Sequence, residues 1–197
     1  VEVDGRNVKD YSFKQLRKKI GIVPQQSILF KGTIRDNMKW GKEDASEEEI
    51  QRALSIAQAS GFVKSKPEGL NTMVSQGGAN LSGGQRQRLT IARALVGDPE
   101  ILIMDDSASA LDFATDAALR KSLHQLGGKT TTFLVSQRAA SIRQADLILV
   151  LDDGQLAGKG THQELVSTCE TYREIFFSQF PEERIKYEKA TGKEVLA

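Results

Sequence analysis

The sequence predicts an α/β fold in which a mostly parallel sheet is flanked by helices and carries an inserted α-helical subdomain. Two patterns support this prediction. From residue 101 onward, short apolar runs alternate with helical patterns, as they do where crossover helices join parallel strands. Between residues 27 and 97 the pattern is mostly helical, and this stretch separates the apolar run at 20–23 from the next one at 101–105.

The composition is that of one sizeable globular core. The chain has 197 residues, 39% hydrophobic and 27% charged, with a net charge of +1, so charge does not indicate nucleic acid or a membrane surface. The single cysteine, Cys169, excludes an intramolecular disulfide framework and suits a reducing compartment. No apolar run approaches the ~20 residues of a membrane span and no signal peptide is visible, so we expect a cytosolic unit whose membrane role would need partner segments.

Caps and turns predict the elements of the first half. Ser12 can cap a short helix in which Phe13 and Leu16 face inward. Ser46 begins a capping box, which opens a longer helix. In order, the predicted elements are a strand at 1–3, a helix at 12–19, a strand at 20–23, a helix at 46–59, a loop at 71–80 and a helix from 82 to 97.

The second half is predicted to alternate strands and helices, with one hairpin near its end. In order, its elements are a strand at 101–105, a helix at 114–126, a strand at 130–135, a short helix near 138–143, paired strands at 147–151 and 155–157, a helix from 161 and a helix at 172–180. The residues from Pro181 onward are charged, and we expect them to fray.

Residues 81–93, LSGGQRQRLTIAR, combine a helix cap with bare glycines. Ser82 can accept a hydrogen bond from the first turn, and Gly83 and Gly84 leave the helix start uncovered. Free N–H groups and the positive end of the helix dipole favour a phosphate there. The other reading is a glycine-rich turn that only caps a core helix. The next strand, ILIMDD, ends in Asp105 and Asp106, and this combination favours the phosphate site.

LSGGQ, followed by a strand that ends in aspartate and then by SALD at residues 109–112, resembles the ATP-binding cassette of ABC transporters. The resemblance extends from residue 1 to about residue 180, and LFKGTIRDN at 29–37 resembles the exporter type. It implies a P-loop NTPase-like (RecA-like) fold that uses ATP and Mg²⁺. It also implies that two cassettes sandwich two ATP molecules, each of which meets the LSGGQ signature of the opposite cassette.

The resemblance implies a role for eleven side chains or backbone positions. They are Ser82, Gly83, Gly84 and Gln85 for the ATP of the second cassette; Asp105 and Gln25 for Mg²⁺; Asp106, Gln137 and Gln25 for catalysis; Ser109 and Asp112 for the D-loop; and Gln76 for the X-loop, which signals toward the transmembrane domains. Taken alone, Gln25 would be an ordinary loop glutamine, and the two aspartates would be a polar strand end.

Three positions depart from the family pattern. Asp106 stands where the family carries a catalytic glutamate, so its carboxylate falls back by more than about 1 Å, a misplacement that can cost roughly 10²-fold in rate. Gln137 stands where the family has a histidine, and glutamine cannot carry the charge that histidine can. Gln76 stands where many members have glutamate.

The phosphate loop of the family, GxxxxGK[ST], does not occur in the sequence. We reject the half-match at residues 128–130, because the first glycine would fall on Leu123 and because a strand, not a helix, follows it. We therefore expect a cassette truncated at its N-terminus, without its first strands and phosphate loop, and inactive by itself.

We expect four regions: 1–26 as the remainder of the RecA-like part, 27–97 as the helical subdomain, 98–180 as the RecA-like core and 181–197 as a charged tail. The expected function is that of the ATP-binding domain in the degenerate half of a bacterial heterodimeric multidrug-type exporter. ATP-driven dimerisation with a second cassette would power export through transmembrane domains, at the cytoplasmic face of the plasma membrane and without nucleic acid. The alternatives are a non-hydrolysing regulatory module that dimerises, which calorimetry with ATP would distinguish, and a non-transport ABC ATPase.

Overall fold

The computed structural model describes residues 1–107, 110–126 and 128–192. The chain forms two compact units, Val1–Val135 and Ser136–Ala197. We describe each unit by itself. The boundaries predicted at residues 27, 98 and 181 remain predictions.

The first unit contains the parallel sheet and the helical segment. Its elements are β1 (Glu2–Val3), β2 (Arg6–Asn7), α1 (Phe13–Lys19), β3 (Ile20–Val23), β4 (Gly32–Thr33), α2 (Ile34–Lys39), α3 (Glu47–Ile56), α4 (Ser60–Lys64), β5 (Met73–Val74), α5 (Gly83–Leu95), β6 (Ile101–Asp105), α6 (Phe113–His124) and β7 (Thr131–Val135). Strands β3, β6 and β7 pair in that order and in parallel, which confirms the predicted sheet.

Helix α5 lies at the centre of this unit. Its residues Leu89, Ile91 and Ala92 are fully buried, and the helix packs against α2, α3 and β3. Two glycines allow this close approach. A Cβ on Gly21 of β3 would lie 2.6 Å from the Ala94 carbonyl oxygen, and one on Gly41 would overlap the Arg93 carbonyl oxygen and lie 2.7 Å from a methyl group of Val96. No side chain fits at either position. The backbone of α5 therefore contacts the backbone of β3 at Gly21 and that of the segment after α2 at Gly41.

The parallel sheet is covered on one face only. Val23, Leu102 and Met104 are buried on the face toward α5. On the opposite face Ile22, Phe133 and Val135 are 60%, 54% and 55% exposed. Parallel sheets are normally covered on both faces, so this face has the character of a surface that another element covers.

The second unit is a hairpin packed against helices. Its elements are α7 (Ala139–Ile142), β8 (Ile148–Asp152), β9 (Gln155–Gly160), α8 (His162–Thr168), α9 (Glu170–Gln179) and α10 (Pro181–Thr191). The predicted turn is confirmed: Asp153 and Gly154 both have positive φ, 44° and 75°, as a two-residue hairpin turn requires. Ile148, Val150, Leu165, Tyr172 and Phe176 form the core of this unit.

Three predictions of local structure are wrong. Phe13 does not face inward but is 81% exposed, with the Arg17 guanidinium over its ring. The helix from Ser46 ends at Ile56 instead of near residue 59, because Gln58 adopts a left-handed conformation. The segment after Pro181 does not fray but forms α10 through Thr191, since Tyr187 packs against Phe177 with ring centroids 5.4 Å apart.

Replacement of Gly41 tests the backbone contact with α5. We expect Gly41→Ala to lower the free energy of unfolding by at least about 2 kcal/mol, because the new methyl group would collide with backbone atoms that cannot rotate away. Urea denaturation monitored by circular dichroism measures the change. Gly61→Ala is the matched control, because a Cβ there meets no atom within 4 Å. Equal stability of the two variants would contradict the close contact.

Candidate functional site

The start of α5 is an exposed, capped helix tip formed by residues 82–85. The Ser82 hydroxyl accepts a hydrogen bond from the Gln85 N–H at 3.3 Å, and the Gln85 side-chain oxygen accepts one from the Ser82 N–H at 3.1 Å. The predicted cap is therefore confirmed as a reciprocal capping box. Within the described part of the chain, the N–H groups of Gly83 and Gly84 donate to no acceptor. The tip thus presents two backbone donors at the positive end of a helix of 13 residues.

The two glycines of the tip have different surroundings. A Cβ on Gly83 would meet nothing closer than an Arg86 nitrogen at 4.0 Å, so Gly83 faces open space. A Cβ on Gly84 would lie 3.3 Å from the carbonyl oxygen of Ala110, just before α6. Gly83 is the open position of the tip, whereas Gly84 allows the segment before α6 to pack closely on α5.

The loop that carries Gln76 is attached to α5. Gln76 itself is exposed and begins a short 3-10 turn that ends at Gly78. Gly78 has φ +70°, and a Cβ there would lie 2.8 Å from the side chain of Arg86, one turn into α5. The Gly77 N–H donates to the Leu29 carbonyl oxygen at 3.1 Å. Gln76 is therefore held beside both the signature helix and the LFKGTIRDN segment.

Gln25, Asp105 and Asp106 lie at the carboxyl edge of the parallel sheet. Val23 pairs with Met104 and Asp105 pairs with Val135, so the three strands end together and Gln25 follows β3 at the same edge as the two aspartates. The Asp106 N–H donates to the Val135 carbonyl oxygen at 3.0 Å, and Asp106 has a left-handed φ of 40°. The sheet therefore groups these three predicted residues at one edge.

Of the two predicted D-loop residues, Asp112 lies within the described part of the chain. Ser109 lies outside the described residues. Asp112 is the N-cap of α6, where its carboxylate accepts hydrogen bonds from the Thr115 N–H at 2.9 Å and the Thr115 hydroxyl at 2.8 Å. These bonds from Thr115 lower the pKa of the Asp112 carboxyl, the backbone bond having the larger effect. The capping role was readable from the spacing of Asp112 and Thr115 but was missed in the sequence analysis.

Gln137 belongs to the second unit. Its side chain is exposed, and its carbonyl oxygen accepts a hydrogen bond from the Gln179 amide at 2.8 Å. The other end of the same amide accepts from the Ala139 N–H at 2.9 Å. Gln179 of α9 therefore fixes the backbone on both sides of Arg138.

The side chains at this edge of the sheet offer oxygen ligands of the kind that Mg²⁺ prefers. Asp105 supplies one exposed carboxylate and Gln25 one amide oxygen, and Mg²⁺ typically takes one or two carboxylates together with water and substrate phosphates. The buried Ser107 hydroxyl beside them has no hydrogen-bond partner among the described residues. No group of three His, Cys, Asp or Glu side chains suited to a metal occurs in that part of the chain. These residues fit a Mg²⁺ ion that is bound together with a nucleotide.

An aromatic surface that the sequence analysis did not identify lies beside the far end of α5. Phe30 and Trp40 have ring centroids 4.6 Å apart and are 42% and 68% exposed. The Arg93 guanidinium lies over the Phe30 ring at 5.4 Å and donates to the Ile28 carbonyl oxygen at 2.9 Å. Burial lowers the pKa of the Arg93 guanidinium. We call Ile28, Phe30 and Trp40 the aromatic surface; the exposure of its residues depends on tertiary packing, so no signal in the sequence revealed it.

Comparison with known proteins agrees with this arrangement. The family model described as ABC transporter matches residues 1–109. An uncharacterized ABC transporter ATP-binding protein of Mycobacterium tuberculosis is 47% identical over 182 residues, which are 91% of this chain and 31% of the relative. A probable multidrug resistance ABC transporter ATP-binding/permease protein of Bacillus subtilis is 43% identical over 179 residues, again 91% of this chain and 31% of the relative.

A solved structure supports the fold directly. The structure of a bacterial Atm1-family ABC exporter with ATP bound matches with a TM-score of 0.85 and 38% identity, covering 89% of this chain and 31% of that chain. The predicted α/β class is thereby confirmed. The chain spans about a third of the length of the proteins it matches. No helix of the described residues has the length and apolar character needed to cross a membrane. Because the family model covers more than half of the residues and the motifs lie in the matching order, the chain belongs to the ABC transporter family.

Proposed function

We propose that this chain is the ATP-binding domain of an exporter and that its signature tip completes the ATP site of a second cassette. The observation that carries the proposal is the tip itself: Ser82 and Gly83 are accessible, and the glycine N–H groups point to no acceptor in the described residues. Such donors at a helix start suit the γ-phosphate of a nucleotide. In the ABC family the signature meets the nucleotide of the opposite cassette, and we propose the same contact for this tip.

The chain's own ATP site needs a strand and a helix that lie outside these residues. The exposed face with Ile22, Phe133 and Val135 supports this, because a strand beside β7 and a helix over that face would bury it. The sheet edge would then hold Mg²⁺ through Asp105 and Gln25. Bound there, the ion would neutralise charge on the phosphates of ATP. Asp106 would orient the attacking water, and Gln137 would donate a hydrogen bond to the γ-phosphate.

This own site would hydrolyse ATP slowly. The side chain of Asp106 is one methylene group shorter than that of glutamate, so its carboxylate reaches less far from the sheet edge. Gln137 cannot become charged as the reaction proceeds, whereas histidine can. The departures at Asp106 and Gln137, together with an intact signature, favour a heterodimer in which the second cassette performs most of the hydrolysis.

The aromatic surface would contact the transmembrane domains of the exporter. Ile28, Phe30 and Trp40 lie on the segment that follows Gln25, and the rings remain largely exposed. Aromatic side chains of this kind are the usual anchors of protein interfaces. This contact would place the domain at the cytoplasmic face of the plasma membrane. The second candidate is a non-hydrolysing module that only dimerises; calorimetry with ATP would distinguish it.

Replacement of Ser82 tests the role of the tip. In the full-length transporter assembled with its second half, we expect Ser82→Arg to lower the ATPase rate at least about a hundredfold, because the bulky cation would block the phosphate contact. Ser12→Arg is the matched control, since Ser12 forms the same Ser–Gln capping box on α1. If both variants kept the wild-type rate, the proposed contact with the second nucleotide would be wrong.

Restoration of the family residues tests the weakened site. We expect Asp106→Glu combined with Gln137→His to raise the ATPase rate of the transporter, because it would equip this chain's own site with a longer base and a chargeable partner. The measurement is single-turnover hydrolysis in a background in which the second half's catalytic residue is inactivated. A rate that does not rise would show that these two positions do not limit hydrolysis.

Replacement of Trp40 tests the transmembrane contact. We expect Trp40→Ala to reduce ATP-driven uptake of a dye into inverted membrane vesicles several-fold, because the exposed ring is an anchor and not part of the core. Phe13→Ala provides the control, since Phe13 is also largely exposed, at 81% against 68% for Trp40, but lies on α1. A similar loss of uptake in both variants, or in neither, would count against the aromatic surface as the docking site.

A further inference from the structure

The turn after α3 holds a glutamine in a conformation that favours glycine. Gln58 has φ 56°. Its N–H donates to the Ser55 carbonyl oxygen at 3.1 Å, and the Ala59 N–H donates to the Leu54 carbonyl oxygen at 2.7 Å. This is the hydrogen-bond pattern of a Schellman helix end, in which the left-handed position is most often glycine. A residue with a side chain is strained in this conformation, and such strain persists only where surrounding contacts hold the residue in place.

Gln58 makes two contacts that glycine could make only in part. Its carbonyl oxygen accepts a hydrogen bond from Arg88 Nη1 of α5 at 2.9 Å. Its side-chain amide donates to the Ser122 hydroxyl of α6 at 2.9 Å. One residue of the turn therefore joins α5 through its backbone and α6 through its side chain.

Arg88 carries the contact to the start of α5. Its Nε donates to the Gly84 carbonyl oxygen at 3.3 Å, and its guanidinium lies over the Phe62 ring of α4, 4.9 Å from the centroid. Burial lowers the pKa of Arg88, and the nearby charge of Asp112 acts in the opposite direction. The guanidinium is thus held by groups from the turn, from α4 and from the first turn of its own helix.

The same two helices carry the signature tip and the D-loop residue. Gly84 of the tip packs on the Ala110 carbonyl oxygen, and Asp112 caps the helix that contains Ser122. The contacts of Gln58 and Arg88 therefore connect the rear of α6 to the front of α5. A change at this junction would shift the tip relative to Asp112 without removing any residue that contacts nucleotide.

We propose that Gln58 and Arg88 are positioning residues that fix the tip at residues 82–85 relative to the start of α6. The proposal rests on the proposed role of the tip at the second cassette's ATP. The Gln58 amide also donates to the Ser55 and Ile56 carbonyl oxygens at 3.3 and 3.4 Å, but its shortest bond, at 2.9 Å, is to Ser122 of α6, which glycine could not reach. If the turn only ended α3, glycine would serve better, because it adopts this conformation without strain.

Three substitutions distinguish a positioning role of the junction from a role in stability alone. Gln58→Gly removes the amide and relieves the strained backbone but leaves the carbonyl oxygen in place. Ser122→Ala removes the same hydrogen bond from the α6 side. Arg88→Lys keeps the charge but loses the planar stack on Phe62 and the forked hydrogen bonds. Ser65→Ala is the control, because it removes a bond to the Phe62 backbone carbonyl oxygen but leaves the Phe62 ring, the part of that residue that contacts Arg88, unchanged.

The experiment measures kcat, the KM for ATP and the melting temperature of the full-length transporter assembled with its second half. We expect Gln58→Gly and Ser122→Ala to lower kcat about fivefold and Arg88→Lys about tenfold, with the KM for ATP unchanged. The melting temperature of Gln58→Gly should equal or exceed that of the wild type. Ser65→Ala should keep the wild-type kcat.

The outcomes distinguish the two proposals. Wild-type kcat in Gln58→Gly and Ser122→Ala, together with an inactive Ser82→Arg protein, would overturn the positioning role and leave the function of the tip intact. A loss of kcat that is matched by a lower melting temperature in both variants would also overturn it, since that result describes a folding defect. An active Ser82→Arg protein would instead overturn the proposed function.

Discussion

The structure depends on the backbone contact between α5 and its two glycine neighbours. Gly41 and Gly21 bring the chain against the Arg93 and Ala94 carbonyl groups more closely than any side chain would allow. Helix α5 is thereby fixed against both the helical segment and the sheet. Its buried side carries Gln87 and Thr90 as well as four apolar residues, whereas Ser82 at its start is exposed. A signature motif at this position is rigidly presented, which is what recognition of a phosphate needs.

The consequence is a molecule whose polar groups are divided between two places. The tip at residues 82–85 offers donors for a phosphate, whereas the sheet edge offers the carboxylates of Asp105 and Asp106. Neither place is a complete ATP site. The sheet has an exposed apolar face, and Gly83 faces open space. We propose that the sheet contributes to the chain's own nucleotide site and that Gly83 contacts the nucleotide of a second cassette. The proposed cooperation between cassettes would bring the tip to the phosphates of the second cassette's nucleotide.

The sequence predicted the features that depend on local chemistry. The Ser82 cap, the strand that ends at Asp105 and the turn at Gly154 follow from residue types at short spacing. Features that depend on distant contacts were missed. Helix α10 packs through Tyr187 on Phe177, and the turn at Gln58 contacts Ser122, 64 residues away in the chain. Phe13 was placed inward by its pattern alone, although no described element covers that side of α1.

The most direct measurement is an electron-microscopy structure of the assembled transporter, trapped with ATP and Mg²⁺. The account predicts that the γ-phosphate of the nucleotide bound by the second cassette lies about 3 Å from the Ser82 hydroxyl and the Gly83 N–H. A closed pair of cassettes in which that phosphate is fully enclosed by other residues, with the start of α5 left in solvent, would contradict it.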